Sequence, residues 1–562
     1  MTTTGMERWQ NRVAVVTGAS SGIGATLTRQ LVASGMIVVA LARRVPRLEE
    51  LREQLPDDQR SRMRIRQCDV TSVESVDSAF DWIETELGGA DILINNAGKL
   101  EGGQLATMSL DTVQQILQTN VMGVVSCTQR VFQSLRKRKT QGHVVIMNSI
   151  VGHYLFNPLP GSLQELNIYP ATKHALTAIT ELLRQEFRDF KTHIKVTSIS
   201  PGLVDTEMVP QSYKRLPLLQ PEDVANAIMY ALATPPHVQV HELTLKPMGE
   251  PFYVPSTGQT PYIKASRRTR VSCPIAPFSG AQSTQEEEVA GEGIEEEEAK
   301  YQNSIQFPII VRERSMERWQ NRVAVVTGAS SGIGAALAKE LVRAGVIVVG
   351  LARRVERVEA LKEELPDELQ SHLHAVKCDV GVEASVAEAF DWIEAELGGI
   401  DILVNNAGLL YSGQLLTMPV EQLQHVLQVN LMGVVYCTQR AFRSMQQRDV
   451  AGHVVLINSL TGHHIIHPPS ESLQTLNMYP VTKHGITALL EIMRQEMSGL
   501  KTQIKVTSIS PGVTRTEILP GDYNILPMLQ PEDIAAGIMY ALATPPHVQV
   551  HQLTIKPIGE PF

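Results

Sequence analysis

The segment MERWQNRVAVVTGASSGIGA begins at Met6 and begins again at Met316. The offset of 310 (316 − 6) recurs at Asn95 and Asn405, at Ser149 and Ser459, and at Tyr169 and Tyr479. Neither copy therefore gains or loses residues between these landmarks. The copies also close alike, on ATPPHVQVHELTLKPMGEPF at Phe252 and ATPPHVQVHQLTIKPIGEPF at Phe562. A period this long is far beyond that of a solenoid, and it fits one α/β domain of about 250 residues duplicated whole. The expected domains are 1–252 and 315–562, with a linker at 253–314. The linker carries Arg267, Arg268 and Arg270 and the acidic run EEEVAGEGIEEEEAK, with little to bury, so disorder is expected there. With Met316 opening the second copy and GEPF closing both, it reads as the seam of two adjacent duplicated genes.

Within each copy, short apolar runs alternate with stretches of helical period. RVAVVTG, MIVVALA, RIRQCDV, ADILINNAG, HVVIMNS and IKVTSISPG read as strands. RLEELREQL, VESVDSAFDWIETEL, DTVQQILQTNVMGVVSCTQRVFQSLRK and YPATKHALTAITELLRQEF read as helices. Such alternation predicts an α/β fold with a doubly wound parallel sheet of Rossmann type, present as two tandem copies.

Composition narrows the function. Of the residues, 43% are hydrophobic and 19% charged, enough for two substantial cores. A net charge of −9 argues against nucleic acid as the main partner. No apolar run reaches the length of about 18 residues that suggests a membrane span, and the first residues lack a signal-peptide apolar region, so a cytoplasmic protein is expected. Cys68, Cys127, Cys273, Cys378 and Cys437 form no Cys-x-x-Cys pair and read as reduced core residues. His463, His464 and His467 are matched in the first copy by His153 alone, so no metal site is expected.

The first strand runs into Gly18-Ala19-Ser20-Ser21-Gly22-Ile23-Gly24, and the second copy has Gly328, Ser330, Ser331, Gly332, Ile333 and Gly334 in the same places. Glycines are required where backbone turns sharply against a pyrophosphate seated on a helix N-terminus. At the end of the second strand an acid would bind the ribose 2′-hydroxyl of NAD, whereas arginine suits the 2′-phosphate of NADP. The chain has Arg43-Arg44 and Arg353-Arg354 there, so the expected cofactor is NADP rather than NAD.

Tyr169 and Lys173, and Tyr479 and Lys483, are spaced four apart, which puts each pair on one helical face. An ammonium nearby favours the phenolate and lowers the tyrosine pKa, making a general acid–base for an alcohol or carbonyl.

TGASSGIG, CDV, NNAG, the Asn of QTN or QVN, the Ser of NSIVG or NSLTG, YxxxK and SPG-x-x-x-T together resemble the short-chain dehydrogenase/reductase family, over nearly the whole of each copy. Within it, the opening MERWQNRVAVVTGAS and the LATPPHVQV ending are similar to those of insect farnesol dehydrogenases and their vertebrate relatives. The resemblance implies roles. Ser149 and Ser459 hydrogen-bond the reacting oxygen, Tyr169 and Tyr479 transfer the proton, and Lys173 and Lys483 hold the nicotinamide ribose. Asn120 and Asn430 anchor a water leading to the lysine. Asp69-Val70 and Asp379-Val380 meet the adenine, while Asn96-Ala97-Gly98 and Asn406-Ala407-Gly408 line the cofactor. Pro201-Gly202 with Thr206, and Pro511-Gly512 with Thr516, contact the nicotinamide end. From Ser149 to Tyr169 is 20 positions, longer than the family's common interval, and Thr461 supplies a second hydroxyl in copy two where copy one has Val151.

On the substrate side, Tyr154-Leu155-Phe156 and the residues Leu203, Met208, Val209, Tyr213 and Leu216 are apolar, predicting a lipophilic small-molecule substrate. The copies diverge here: Lys99-Leu100-Glu101-Gly102 faces Leu409-Leu410-Tyr411-Ser412, and Met208-Val209 faces Ile518-Leu519. Three readings follow: an NADP-dependent dehydrogenase of a farnesol-like alcohol, a carbonyl or ketosteroid reductase using the same residues in reverse, and a non-catalytic NADP-binding scaffold or sensor. Both copies retain all four catalytic side-chain types, against the third. The copies are expected to pair as an internal pseudo-dimer, or the chain to form a homo-oligomer.

Overall fold

The computed structural model describes residues 5–155, 166–209, 213–248, 316–466 and 476–559. The predicted linker at 253–314, Cys273 and Phe156 lie outside the described residues. The first copy runs β1 Val13–Thr17, α1 Gly22–Ala33, β2 Ile37–Ala42, α2 Val45–Glu53, α3 Asp57–Arg60, β3 Met63–Gln67, α4 Val73–Leu87 and β4 Ile92–Asn95. It continues with α5 Leu110–Leu117, α6 Gly123–Arg138, β5 Gly142–Met147, α7 Tyr169–Asp189, β6 Ile194–Pro201, α8 Pro221–Ala233 and β7 Glu242–Leu245. The second copy repeats the order with β8 Val323–Thr327, α9 Gly332–Arg343, β9 Ile347–Ala352, α10 Val355–Ala360, β10 Leu373–Lys377, α11 Glu383–Leu397 and β11 Ile402–Asn405. It closes with α12 Val420–Leu427, α13 Gly433–Gln447, β12 His453–Ile457, α14 Met478–Gly499, β13 Lys505–Pro511, α15 Pro531–Ala543 and β14 Gln552–Ile555.

Each copy forms one seven-stranded parallel sheet, ordered β3-β2-β1-β4-β5-β6-β7 and β10-β9-β8-β11-β12-β13-β14. All residues of β1 and of β6 are buried, because helices cover both faces. Alternation along β1 divides the core: Ala14 and Val16 face α1 and α8, while Val13 and Val15 face α4 to α7. The order reverses between β1 and β4, and the cleft lies at the carboxyl ends of the strands at that switch point.

Two elements depart from the sequence reading. The stretch from Asp111 to Lys137, read as one helix, is broken by a π-helical turn at Gln118–Met122, and β7 is a strand that the apolar runs do not reveal. In the structure α7 packs along α14, and the core facing α4 to α7 in one copy is continuous with its counterpart in the other.

Candidate active site

The glycine turn is built tightly. Gly18 and Gly22 have φ of +66° and +52°, which L side chains rarely adopt. A Cβ on Gly24 would sit 2.4 Å from the Gly18 carbonyl oxygen. Asn96 braces the turn: its Nδ2 donates to the carbonyls of Thr17 (3.0 Å) and Gly18 (3.2 Å), while the Asn96 and Ala97 amides donate to Thr17 Oγ1. Asn406 repeats these bonds on Thr327 and Gly328. Ser21 caps α1 without a side-chain hydrogen bond to it, so no hydroxyl competes with a ligand at that helix start.

At the end of β2, Arg44 Nη2 donates to Ser20 Oγ (3.2 Å) and Ser21 Oγ (3.1 Å). Its Nη1 also lies 3.3 Å from Glu207, which Arg47 holds at 2.8 Å. Arg354, Arg357 and Glu517 repeat the cluster, at 2.8 and 2.7 Å. The Arg47 and Arg44 guanidiniums hold the Glu207 carboxyl below the usual carboxylate range. Glu207, Arg47, Glu517 and Arg357 were not evident in the sequence, although an acid directly after Thr206 was the available signal. Asp69 Oδ1 accepts from the amide and hydroxyl of Thr71, and Asp379 from the Gly381 amide.

The candidate reacting groups converge from β5, α7 and the π-turn. Lys173 is buried, and its Nζ donates to the Met147 carbonyl at 2.8 Å and lies 5.4 Å from the Tyr169 ring centroid. Lys483 does the same with Ile457 at 2.7 Å and Tyr479 at 5.3 Å. Burial lowers each lysine to about 7 and raises both tyrosines, Tyr479 to about 12. This differs from the sequence expectation that lysine depresses the tyrosine: in this cleft, desolvation outweighs the nearby ammonium. Asn120 occupies the π-turn, where its Oδ1 accepts the Lys99 amide (2.7 Å) and its Nδ2 donates to the Lys99 carbonyl and Thr172 Oγ1. Asn430 makes the same bonds to Leu409 and Thr482. π-turns recur at functional sites because they re-aim one side chain without ending the helix.

The two serines differ. Ser149 Oγ donates to the Pro201 carbonyl at 3.3 Å. Ser459 Oγ accepts from the Thr461 amide (3.1 Å) and hydroxyl (3.0 Å) and pairs with the Tyr479 hydroxyl.

In the first copy one cleft of about 630 Å³ joins Gly18, Ser20–Ile23, Arg43, Arg44, Asp69, Val70 and Asn96–Gly98 to Ser149, Tyr169, Lys173, Pro201, Gly202 and Thr206, while Gly24 and Asn120 lie behind its lining. Leu100, Leu203, Met208, Val209, Tyr213 and Leu216 form its apolar wall. Tyr154 and Leu155 do not contribute: Tyr154 is exposed and Leu155 packs against the main core. In the second copy the cleft has about 220 Å³. It keeps Gly328, Ser330–Ile333, Arg353, Arg354, Asp379, Val380, Asn406–Gly408, Tyr479, Lys483 and Thr516, but Gly334, Asn430, Ser459, Pro511 and Gly512 lie outside it. Tyr523 is buried there, whereas its counterpart Tyr213 lines the larger cleft.

Among the described residues no helix is long and apolar enough to cross a membrane, and Cys68, Cys127, Cys378 and Cys437 are free and buried.

The short chain dehydrogenase family model matches residues 12–216 and 322–522. The farnesol dehydrogenase of Aedes aegypti is 53% identical over 253 residues, covering 44% of this chain and 100% of that protein. Dehydrogenase/reductase SDR family member 11 of Bos taurus is 40% identical over 255 residues, covering 43% of this chain and 98% of the relative. A solved structure of the C-domain with NADP of a bacterial malonyl-CoA reductase matches 99% of this chain and 100% of its own, with a TM-score of 0.68 at 14% identity. That likeness is one of fold, and it extends over both copies. With the family model matched twice and two parallel seven-stranded sheets in one polypeptide, the chain belongs to the short chain dehydrogenase family and is an oxidoreductase carrying that family's domain in tandem.

Proposed function

We propose that each copy is an NADP-dependent dehydrogenase that interconverts a lipophilic, farnesol-like alcohol and its carbonyl product. The observation that carries this reading is the continuous cleft of copy one, where the Tyr169–Lys173 pair lies between the glycine turn and an apolar wall. Bound there, a nicotinamide dinucleotide supplies the hydride acceptor or donor. Gly18, Gly22 and Gly24 suit a close turn against its pyrophosphate: a Cβ on Gly18 or Gly24 would collide with backbone, and one on Gly22 would crowd the Thr206 side chain. Arg44 fits a 2′-phosphate, with Ser20 and Ser21 beside it. Ser149 steadies the substrate oxygen, and Tyr169 gives its phenolic proton to that oxygen during reduction and, as the phenolate, takes the hydroxyl proton during oxidation. Lys173 would hold the nicotinamide ribose, with Asn120 fixing the adjacent loop at Lys99. Ser459, Tyr479, Lys483 and Asn430 have the same roles in copy two.

The apolar wall and the named activity of the mosquito relative support the substrate class. We place the domains at 1–252 and 315–562, joined by 253–314, in a cytoplasmic setting that suits the four thiols found free among the described residues. We also propose that the copies work docked as an internal pseudo-dimer, supported by α7 against α14. The test is the oxidation of farnesol by the full-length chain, followed at the nicotinamide absorbance with NADP and with NAD. Turnover with NADP at least tenfold more efficient is expected. Equal or better turnover with NAD would overturn the cofactor assignment, and none with isoprenoid alcohols the substrate class.

A further inference from the structure

Glu186 on α7 and Glu496 on α14 are buried carboxylates that the reaction chemistry above does not use. Neither has an ion-pair partner among the described residues. Each reaches across to the other copy. The two oxygens of Glu186 accept the amides of Leu415 and, at 2.8 Å, Leu416. Those of Glu496 accept the amides of Leu105 (2.5 Å) and Ala106 (2.9 Å). The carbonyls of the same segments are held from the other copy too. Gln129 Nε2 donates to Leu415 and Met418, and Gln439 Nε2 to Leu105 and Met108.

These segments end the loop that follows the NNAG strand in each copy, and the loop's other end is tied to the reacting groups. In copy two the Leu409 backbone pairs with Asn430 in both directions. The carbonyls of Tyr411 and Gly413 accept from Asn477, which caps the helix that presents Tyr479. In copy one Lys99 pairs with Asn120, and the Glu101 carbonyl accepts from Asn167, two residues before Tyr169. A buried carboxylate without a cation is a poor way to gain stability, since a well-packed apolar side chain does better. It is a good way to fix two adjacent backbone amides that would otherwise be left without acceptors.

We infer that Glu186 and Glu496 are positioning residues acting in trans, each clamping the other copy's loop so that a site is fully ordered only while the copies are docked. This rests on the pairing and on the catalytic roles proposed above.

The test uses full-length chains with one live site: Tyr169→Phe leaves copy two, and Tyr479→Phe leaves copy one. Adding Glu186→Gln, which keeps shape but removes one acceptor, is expected to lower kcat at copy two by about tenfold or more, with its NADP Kd changed less than twofold. At copy one the same substitution should change kcat less than twofold, and Glu496→Gln should show the reverse pattern. Glu186→Leu, which packs but accepts nothing, should act in the same direction and more strongly. Amide exchange at 415–416 should quicken with Glu186→Gln while 105–106 stays protected. Loss at the substituted copy's own site, or exchange unchanged at 415–416, would overturn the clamp. Two independent beads by small-angle scattering of the unsubstituted chain would overturn the pairing and the clamp together. If the single-site chains turn over no alcohol, the functional reading fails separately, and the exchange pattern decides the clamp.

Discussion

Lys173 Nζ lies 5.4 Å from the centroid of the Tyr169 ring and is anchored on the Met147 carbonyl at 2.8 Å. One neutral acceptor is little compensation for a buried ammonium, and burial brings Lys173 and Lys483 down from 10.5 to about 7. Between pH 7 and about 10 the unfolded chain therefore binds more protons at these positions than the folded one, so their burial grows less costly as pH rises. The unfolding midpoint of the wild type should gain on that of a Lys173→Met/Lys483→Met variant from pH 7 to pH 10. A constant difference over that range would contradict the assignment.

Arg44 shares its charge between Ser20, Ser21 and Glu207. Arg44→Ala and Arg354→Ala should weaken NADP binding by roughly ten- to a hundredfold, the worth of a charge-assisted hydrogen bond of about 1.5–3 kcal/mol, and leave NAD nearly unaffected. Glu207 occupies the guanidiniums that a 2′-phosphate needs, through an exposed pair worth no more than about 1 kcal/mol. Glu207→Gln should accordingly tighten NADP by up to about fivefold. Titration calorimetry with both cofactors checks each direction.

Asp91 is buried beneath β1, where its carboxylate accepts the Val13 amide at 3.0 Å and pairs with Arg138 at 2.8 Å. Asp401 repeats this with Val323 and Arg448. Asp91→Ala leaves the Val13 amide without its acceptor and the half-buried Arg138 guanidinium with Ser134 and the Ala90 carbonyl alone, and should cost about 1–3 kcal/mol in urea unfolding. A loss below about 1 kcal/mol would show that the pair is not structural.

The strand–helix alternation, the glycine turn and the YxxxK pairs were legible because each is written in local spacing, and the constant offset wrote them twice. What escaped was non-local or irregular. The π-turn at Gln118–Met122 inserts one residue into a helical run, and apolar periodicity passes over it, although it aims Asn120. Strand β7 has four residues with alternate ones exposed, so it carries no apolar run. Glu207 meets Arg44 across 163 positions, and Glu186 meets Leu416 across 230. Tyr154, apolar and close to Ser149 in sequence, turns out exposed, because nearness along the chain does not decide which way a loop faces.

Thr461 donates to Ser459 at 3.0 Å, which leaves the serine proton free for the Tyr479 side, whereas Ser149 spends its proton on Pro201. Thr461→Val should reduce turnover at copy two by roughly fivefold, for one hydrogen bond of about 1 kcal/mol. The reciprocal Val151→Thr should raise turnover at copy one or leave it unchanged. Steady-state kcat on chains with one live site reads both.

Two separate clefts are each expected to turn over an alcohol through a tyrosine. The most direct measurement is NADP-dependent farnesol oxidation by the wild type, Tyr169→Phe, Tyr479→Phe and the double variant. The single variants should each keep one site's share, and the double variant should lose about 10²–10⁴-fold, the usual worth of a general acid–base. Activity in the double variant comparable to the wild type would contradict the mechanism.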